Sequence, residues 1–213
     1  MRIDDGWLRG TRRVPSPNQD TRPDGEVSLL LLHAISLPPG VFGGEHIERL
    51  FTNRLDPRAC PFFTTIADLR VSAHVLIRRD GECVQFVPFQ GRAWHAGRSC
   101  WCDEGRRRHA LNDFSIGIEL EGDEVSPYTG AQYDRLAEVT AALLGTYPRL
   151  GESRITGHAR VAPLRKTDPG PAFDWRYFRQ RLAGWMAFSK VSGDPERQSP
   201  GVAFPGSERA VKR

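Results

Sequence analysis

Ser28-Leu29-Leu30-Leu31-Leu32-His33-Ala34 is a continuous apolar run that ends in a histidine. A run without polar alternation is typical of a strand that is covered on both faces. Pro38, Pro39 and Gly40 follow closely and end regular structure. The run therefore predicts a central strand, with the imidazole of His33 at the edge of the core.

Further strands and helices are predicted on both sides of this run. The strand from Phe114 to Glu121 alternates, with Ile116, Ile118 and Leu120 on one face and Glu119 on the other. The dipeptide Asp80-Gly81 predicts a hairpin turn. The predicted strands are 28–34, 71–78, 83–88, 114–121 and 154–158, and the predicted helices are 44–52, 131–147 and 174–186, the last capped by Asp174.

Length and composition favour one globular domain. The chain has 213 residues, 39% of them hydrophobic. We expect a catalytic domain over residues 1–188, an irregular arm over residues 1–27, and a disordered tail over residues 189–213, which are rich in Gly, Pro, Ser and charge.

Composition also narrows the classes of protein to consider. No apolar run approaches the length of a membrane span, and acids near the N-terminus disfavour a secretory signal, so we expect a cytoplasmic protein. The net charge is +4, but its arginines are scattered among 26 acids, which disfavours a nucleic-acid partner. The one dense basic run, Arg106-Arg107-Arg108-His109, is interpreted as a solvated loop. Cys60, Cys83, Cys100 and Cys102 match no zinc-ribbon spacing and are expected to remain thiols.

The segment 157–171 carries the residues of a candidate metal site. His158 and Asp168 are separated by a proline-containing stretch that we expect to be a rigid, non-helical loop. Zinc accepts imidazole nitrogen and carboxylate oxygen, and a catalytic zinc site typically has three protein ligands and a water. His33 would supply the third ligand. The alternatives are a hydrogen-bonded core histidine for His33 and a turn residue for Asp168.

Two further residues suit the hydrolysis of an amide or ester at such a site. Glu119, on the open face of its strand, would be the general acid and base. Lys166 would stabilise the oxyanion. The alternatives are a surface carboxylate for Glu119, as is expected for Glu121, and a solvated ammonium for Lys166.

Three other residues are candidates for substrate contact. His74 is predicted to contact the substrate, to support a residue that does, or to be a packed imidazole. Trp94 and His95, before a small-residue turn, could form a wall against a sugar ring, or Trp94 could belong to the rim of the core.

Several long motifs, in order from Gly6 to about Trp185, resemble the AmpD family of bacterial 1,6-anhydro-N-acetylmuramyl-L-alanine amidases. This family belongs to the zinc amidase superfamily that includes phage-lysozyme-type amidases and peptidoglycan recognition proteins. The matching strings are GWL, RRVPSPN, HAISLPPGVFGG, LFTNRLDP, VSAHVLIRRDGECVQFVPF, RAWHAG, NDFSIGIELEG, YTGAQYDRLAEVT, TGH and RKTDPGPAFDW.

The resemblance implies a fold, a site and a substrate. The fold would be α/β (α+β), with a mixed central β-sheet flanked by helices. His33, His158 and Asp168 match the family's zinc ligands, Glu119 its catalytic carboxylate and Lys166 its transition-state lysine. The substrate would be an anhydromuropeptide from cell-wall turnover, cut between the lactyl group and L-alanine. Recycling of the cell wall and control of β-lactamase induction are implied, and a monomer is favoured.

The sequence departs from the family at two places. Ala34 stands where the family often has asparagine, and the segment 97–111 is longer. The family uses an arginine in that segment to hold a peptide carboxylate, and Arg108 is our candidate. The remaining alternatives are an amidase acting on intact murein outside the cytoplasm and a muropeptide-binding module without catalysis.

Overall fold

The computed structural model describes residues 1–103 and 105–192. Its strands are β1 (Ile3–Asp4), β2 (Trp7–Leu8), β3 (Arg12–Arg13), β4 (Gln19–Thr21), β5 (Leu29–Ile35), β6 (Val75–Ile77), β7 (Cys83–Gln85), β8 (Gly91–Ala93), β9 (Trp101–Asp103), β10 (Arg106–Arg108), β11 (Ser115–Glu121) and β12 (Ile155–Gly157). Its α-helices are α1 (His46–Phe51), α2 (Gly130–Thr146), α3 (His158–Val161) and α4 (Trp175–Ser192).

A six-stranded mixed sheet forms the centre of the molecule, in the order β12-β5-β11-β6-β7-β3. Strands β12, β5, β11 and β6 are parallel, whereas β6 and β7 form the antiparallel hairpin predicted around Asp80-Gly81. The predicted mixed sheet flanked by helices is confirmed.

The two faces of the sheet are covered differently. On one face a large apolar cluster joins the sheet to helices α2 and α4. From the sheet it includes Leu30, Leu32, Ile116 and Ile118. On the opposite face a smaller cluster forms around Leu29 and Leu31. Because Cβ atoms alternate along a strand, His33 lies on the same face as Leu29 and Leu31. The site therefore forms on the side that has the smaller apolar cover.

Helix α2 shows how local sequence sets the element boundaries. Thr129 caps the helix by accepting a hydrogen bond from the backbone N–H of Gln132, whose side chain returns a bond to the Thr129 backbone. This capping box starts the helix at Gly130, within one residue of the predicted start. At the last helix, Asp174 accepts a hydrogen bond from the N–H of Tyr177, as its predicted role as a cap requires.

Several predicted segments differ from the structure. The arm over residues 1–27 contains four short strands, and β3 joins the edge of the central sheet. The basic run 106–109 was wrongly interpreted as a loop, because β10 pairs with β9 in a hairpin. The segment after β12 is not wholly non-helical, since α3 forms one turn before Pro163 ends it. Helix α4 continues to Ser192, past the predicted start of the tail, and the rest of that tail lies outside the described residues.

None of the helices in the described part of the chain has the length and apolar character to cross a membrane. The four cysteines, all within that part, are free thiols.

Candidate metal centre and active site

Three predicted metal ligands converge at one point. Two of them lie near strand ends, and the third, Asp168, lies in a loop. His33 lies near the end of β5, and His158 follows β12, whose Gly157 is the register partner of Leu32. Nδ1 of His33 lies 3.0 Å from Nδ1 of His158 and 2.9 Å from Oδ2 of Asp168, and the third side of this triangle is 3.1 Å. The structure thus brings together the three residues that the sequence predicted as metal ligands.

The hydrogen bonds behind the two imidazoles decide which nitrogens carry protons. Nε2 of His158 lies 3.1 Å from the carbonyl oxygen of Ala96, which can only accept, so that nitrogen carries the proton. Nε2 of His33 lies 3.0 Å from Nδ1 of His95, and Nε2 of His95 lies 3.2 Å from the hydroxyl of Ser115. If the hydroxyl of Ser115 accepts from His95, then His95 Nδ1 is free to accept from His33.

The result is a set of converging lone pairs. In these tautomers both Nδ1 atoms present a lone pair to the same point as the Asp168 carboxylate, with no proton between them. Such a set needs a cation. Ligand atoms of a tetrahedral zinc lie roughly 3.3 Å apart when the bonds are about 2.0 to 2.1 Å, so the observed triangle is close to the spacing that zinc requires.

Electrostatics support neutral imidazole and ionised carboxylate at this point. Burial lowers the pKa of His33, although the close contact with the Asp168 carboxylate opposes the shift. Burial alone would raise the pKa of Asp168, but the close contacts with the His158 and His33 rings outweigh it and hold that pKa below its usual range. These are the protonation states that metal ligation needs.

The loop between His158 and Asp168 is folded back on itself by close backbone packing. The N–H of Ala159 donates to the carbonyl of Asp168 over 2.9 Å. A Cβ on Gly157 would lie 2.6 Å from Cδ of Pro169, so only glycine allows this approach. The backbone thereby holds the two ligands of this loop together, although nine residues separate them in the chain.

Glu119 lies beside the metal ligands on the neighbouring strand. It is the register partner of His33, so the two side chains leave the sheet on the same face. Its Oε2 atom is buried and has no hydrogen-bond partner. Burial, followed by the charge of Asp168, raises the pKa of Glu119 well above the ordinary value, while Lys166 opposes the shift. A buried, unpartnered carboxyl group with a raised pKa is suited to accept and return a proton.

Lys166 is exposed and lines a cleft of about 400 Å³ that Asp168 also borders. The residues around this cleft are Ala34, Ile35, Ser36, Gly122, Asp123, Glu124, Arg165, Lys166, Thr167 and Asp168. An ammonium group here, beside the ligand set, is placed to face charge that develops on a carbonyl in the cleft.

Two of the predicted substrate contacts are bonded to other parts of this chain, which for His74 agrees with the alternative of a packed imidazole. His74 is 0% exposed, accepts a hydrogen bond from the N–H of Gly117 and lies 3.2 Å from the carbonyl of Gly91, so its ring does not reach the cleft. Arg108 donates from both terminal nitrogens to the carboxylate of Glu26, at 2.8 and 2.9 Å. Its guanidinium is therefore already occupied by a carboxylate of this chain.

The other two predicted contacts lie in one short segment beside the centre. Trp94 is half-buried, and its backbone is held by Ser72. Its contact with a sugar stays a prediction. His95 is also half-buried, and its contact with His33 could not be predicted from the sequence, because the two residues are 62 positions apart and share no motif.

A comparison with known protein families identifies the class of protein to which this chain belongs. The family model for N-acetylmuramoyl-L-alanine amidase matches residues 23–171, a range that contains His33, Glu119, His158 and Asp168. The chain belongs to this family and is an amidase, a hydrolase of an amide bond.

Within the family, the chain is similar to several curated relatives named AmpD. It is 61% identical over 180 residues to the 1,6-anhydro-N-acetylmuramyl-L-alanine amidase AmpD of Escherichia coli strain K12, covering 84% of this chain and 96% of the relative. A crystal structure of a selenomethionine derivative of AmpD aligns with a TM-score of 0.81 at 58% identity, over 85% of this chain and 99% of that chain. The amidase AmiD of Escherichia coli, solved with the substrate anhydro-N-acetylmuramic acid-L-Ala-D-γ-Glu-L-Lys, aligns with a TM-score of 0.52 at 26% identity, over 82% of this chain and 60% of that chain. The resemblance found in the sequence motifs is confirmed.

Proposed function

We propose that this protein hydrolyses the amide bond between the lactyl group of 1,6-anhydro-N-acetylmuramic acid and L-alanine in anhydromuropeptides, and that its metal is zinc. The observation that carries the proposal is the convergence of His33 Nδ1, His158 Nδ1 and Asp168 Oδ2 beside a buried, unpartnered carboxylate. The substrate class is supported by the AmpD of Escherichia coli, a 1,6-anhydro-N-acetylmuramyl-L-alanine amidase that is 61% identical to this chain.

The metal identity follows from the chemistry of the ligands. Two neutral imidazoles and one carboxylate match a catalytic zinc site, whereas a calcium or magnesium site would be built from oxygen atoms. Bound zinc would supply Lewis acidity and lower the pKa of a water molecule toward about 7.

The chain's own residues would divide the remaining work. Glu119 accepts a proton from the attacking water at its free carboxylate oxygen. It then returns this proton to the leaving nitrogen of L-alanine. Its buried position suits both steps, because burial raises the pKa of Glu119 and makes the carboxylate a stronger base for the proton. Lys166 places a positive charge at the cleft, where it stabilises the oxyanion of the tetrahedral intermediate.

Recycling of the cell wall in the cytoplasm would be the setting of this reaction, and a monomer its form. Neither nucleic acid nor a membrane takes part in it. An anhydromuropeptide is a small soluble substrate, and a single chain holds every residue that the proposed chemistry uses.

The test compares three substrates with the same metal-replete enzyme. These are anhydromuramyl tripeptide, the same peptide on muramic acid without the anhydro bridge, and intact sacculi, with products identified by mass spectrometry. We expect the first to be cleaved to anhydro-sugar and free peptide, and sacculi to be left intact. A folded, metal-replete enzyme that released peptide from sacculi but not from the anhydromuropeptide would overturn the proposal.

A further inference from the structure

The segment that precedes the long hairpin contacts both metal-binding imidazoles from behind. His95 Nδ1 lies 3.0 Å from His33 Nε2, and the carbonyl oxygen of Ala96 lies 3.1 Å from His158 Nε2. In the tautomers assigned above, two consecutive residues, one through its side chain and one through its backbone, accept the protons of the two histidines. These bonds fix which nitrogen of each ring faces the metal.

Asn112 holds these two residues in place. Its side-chain oxygen accepts hydrogen bonds from the backbone N–H groups of both His95 and Ala96, at 3.2 and 2.8 Å. Asn112 comes immediately after the segment 97–111, and Ala96 immediately before it. The contact therefore closes the base of the longer segment, which contains β9 and β10.

A buried arginine, Arg22, holds the backbone of Asn112 and Ser115. Arg22 is 3% exposed and donates to the carbonyl oxygens of Asn112 and Ser115, each at 2.8 Å. Ser115 in turn offers its hydroxyl to Nε2 of His95 at 3.2 Å. One buried guanidinium thus links the two residues that orient His95.

Close packing also fixes the ring of His95. A Cβ on Gly117 would lie 2.5 Å from Cγ and Nδ1 of this ring. Glycine at position 117 is what lets the imidazole lie against β11 and reach His33. A side chain at position 117 would therefore displace the ring of His95.

We infer that His95, Ala96 and Asn112, here called the histidine clamp, set the tautomers of both metal-binding histidines and thereby the metal affinity of the enzyme. His95 is then a positioning residue that acts through His33. The inference rests on the proposed zinc site. The clamp also ties together the two ends of the segment 97–111, because Ala96 and Asn112 flank that segment and are hydrogen-bonded to each other.

The test measures zinc affinity by competition with a chromophoric chelator. Replacing His95 with leucine removes the acceptor, and we expect the zinc dissociation constant to rise by roughly 10- to 100-fold. His95→Asn keeps an oxygen near the position of Nδ1, so its dissociation constant should stay within about threefold of wild type. His109→Leu, an exposed histidine in the same part of the chain, is the matched control and should leave the affinity unchanged.

A second pair of variants tests the clamp at Asn112 and leaves every histidine unchanged. Asn112→Leu loses the acceptor for both N–H groups and should weaken zinc binding by about tenfold. Asn112→Asp keeps that acceptor and should restore most of the affinity. This pair gives an answer even where His95→Leu fails to fold, and thermal denaturation of the chelated proteins shows which variants are folded.

Nitrogen-15 NMR of the metal-free protein reads the tautomers directly. We expect His33 and His158 both to carry the proton on Nε2, and His33 to lose this preference in His95→Leu. Wild-type zinc affinity in folded His95→Leu, or a proton on Nδ1 of His33 in the wild-type protein, would overturn the inference. A wild-type protein that bound no zinc at all would instead refute the proposed function.

Discussion

Glu119 and Glu121 are two residues apart on β11, yet the structure treats their carboxylates in opposite ways. Glu121 is 2% exposed, and its oxygens accept from the backbone N–H groups of Gly43 and Arg79 at 2.6 and 3.1 Å, with Arg78 nearby. Glu119 has a buried oxygen with no partner at all.

The difference teaches what separates a structural carboxylate from a reactive one. Hydrogen bonds to the charged form satisfy a buried carboxylate, and a missing partner leaves the group ready to take up a proton. Glu121 ties the loop that contains Gly43 to the end of the sheet. Glu119 is kept unsatisfied beside the metal ligands, at some cost in stability.

The largest effect is expected from Glu119→Gln on catalysis. The amide cannot accept or return the proton, so kcat should fall by roughly 10²- to 10⁴-fold. Hydrolysis of anhydromuramyl tripeptide at saturating substrate measures it. The same substitution at Glu121 is the control, and its folded fraction should keep kcat within a few fold. Equal losses of kcat in the two variants would contradict the distinction drawn here.

Lys166→Met sharpens the comparison, because Lys166 acts electrostatically on Glu119. Removing one oxyanion-stabilising charge should lower kcat by about 10²-fold, with a smaller change in KM. Arg160→Met, which removes an exposed cation near the start of the same loop, should have wild-type kinetics. A loss confined to KM would assign Lys166 to ground-state binding instead.

Glu121→Gln should lower the stability of the protein, whereas its effect on kcat should be small. The amide group of glutamine cannot accept from both backbone N–H groups and loses the charge opposite Arg78, so the free energy of unfolding should drop by about 2 kcal/mol. Urea denaturation of the metal-free proteins measures this quantity. An unchanged midpoint would mean that the bonds of Glu121 contribute nothing to the fold.

The smallest effect is the pH dependence that Glu119 adds to stability. Because its pKa is raised in the folded protein, its contribution is favourable below the unfolded value of about 4.3 and is lost as the pH rises through the folded value. Glu119→Gln should therefore stabilise the metal-free protein at pH 7 to 8 by about 1 kcal/mol, and this gain should shrink toward pH 5. Thermal denaturation across that range is the measurement, and a variant less stable than wild type at pH 8 would contradict the account.

The sequence was sufficient for the elements with strong local patterns. The leucine run at β5, the alternation of β11 and the cap of α4 were predicted close to their observed positions. Hydrophobic period and capping chemistry are local properties, so these predictions needed no knowledge of the fold.

Tertiary partners explain what the sequence did not reveal. Glu121 was expected at the surface because its neighbours give no sign of Gly43, which is 78 positions away. The ion pair of Arg108 was not foreseen because Glu26 is 82 positions away, and the alternatives for His74 stayed open because its contact with Arg22 spans 52 positions. In each case a contact of high sequence separation decided the role.

Metal content per folded chain tests the central claim most directly. After dialysis against trace zinc, we expect one equivalent of zinc per wild-type chain by elemental analysis, and a loss of hydrolysis on chelation that zinc restores. Asp168→Ala and His158→Ala, each shown to be folded, should retain well under one equivalent. A full equivalent of zinc in both variants, or a fully active wild-type enzyme free of metal, would contradict the account.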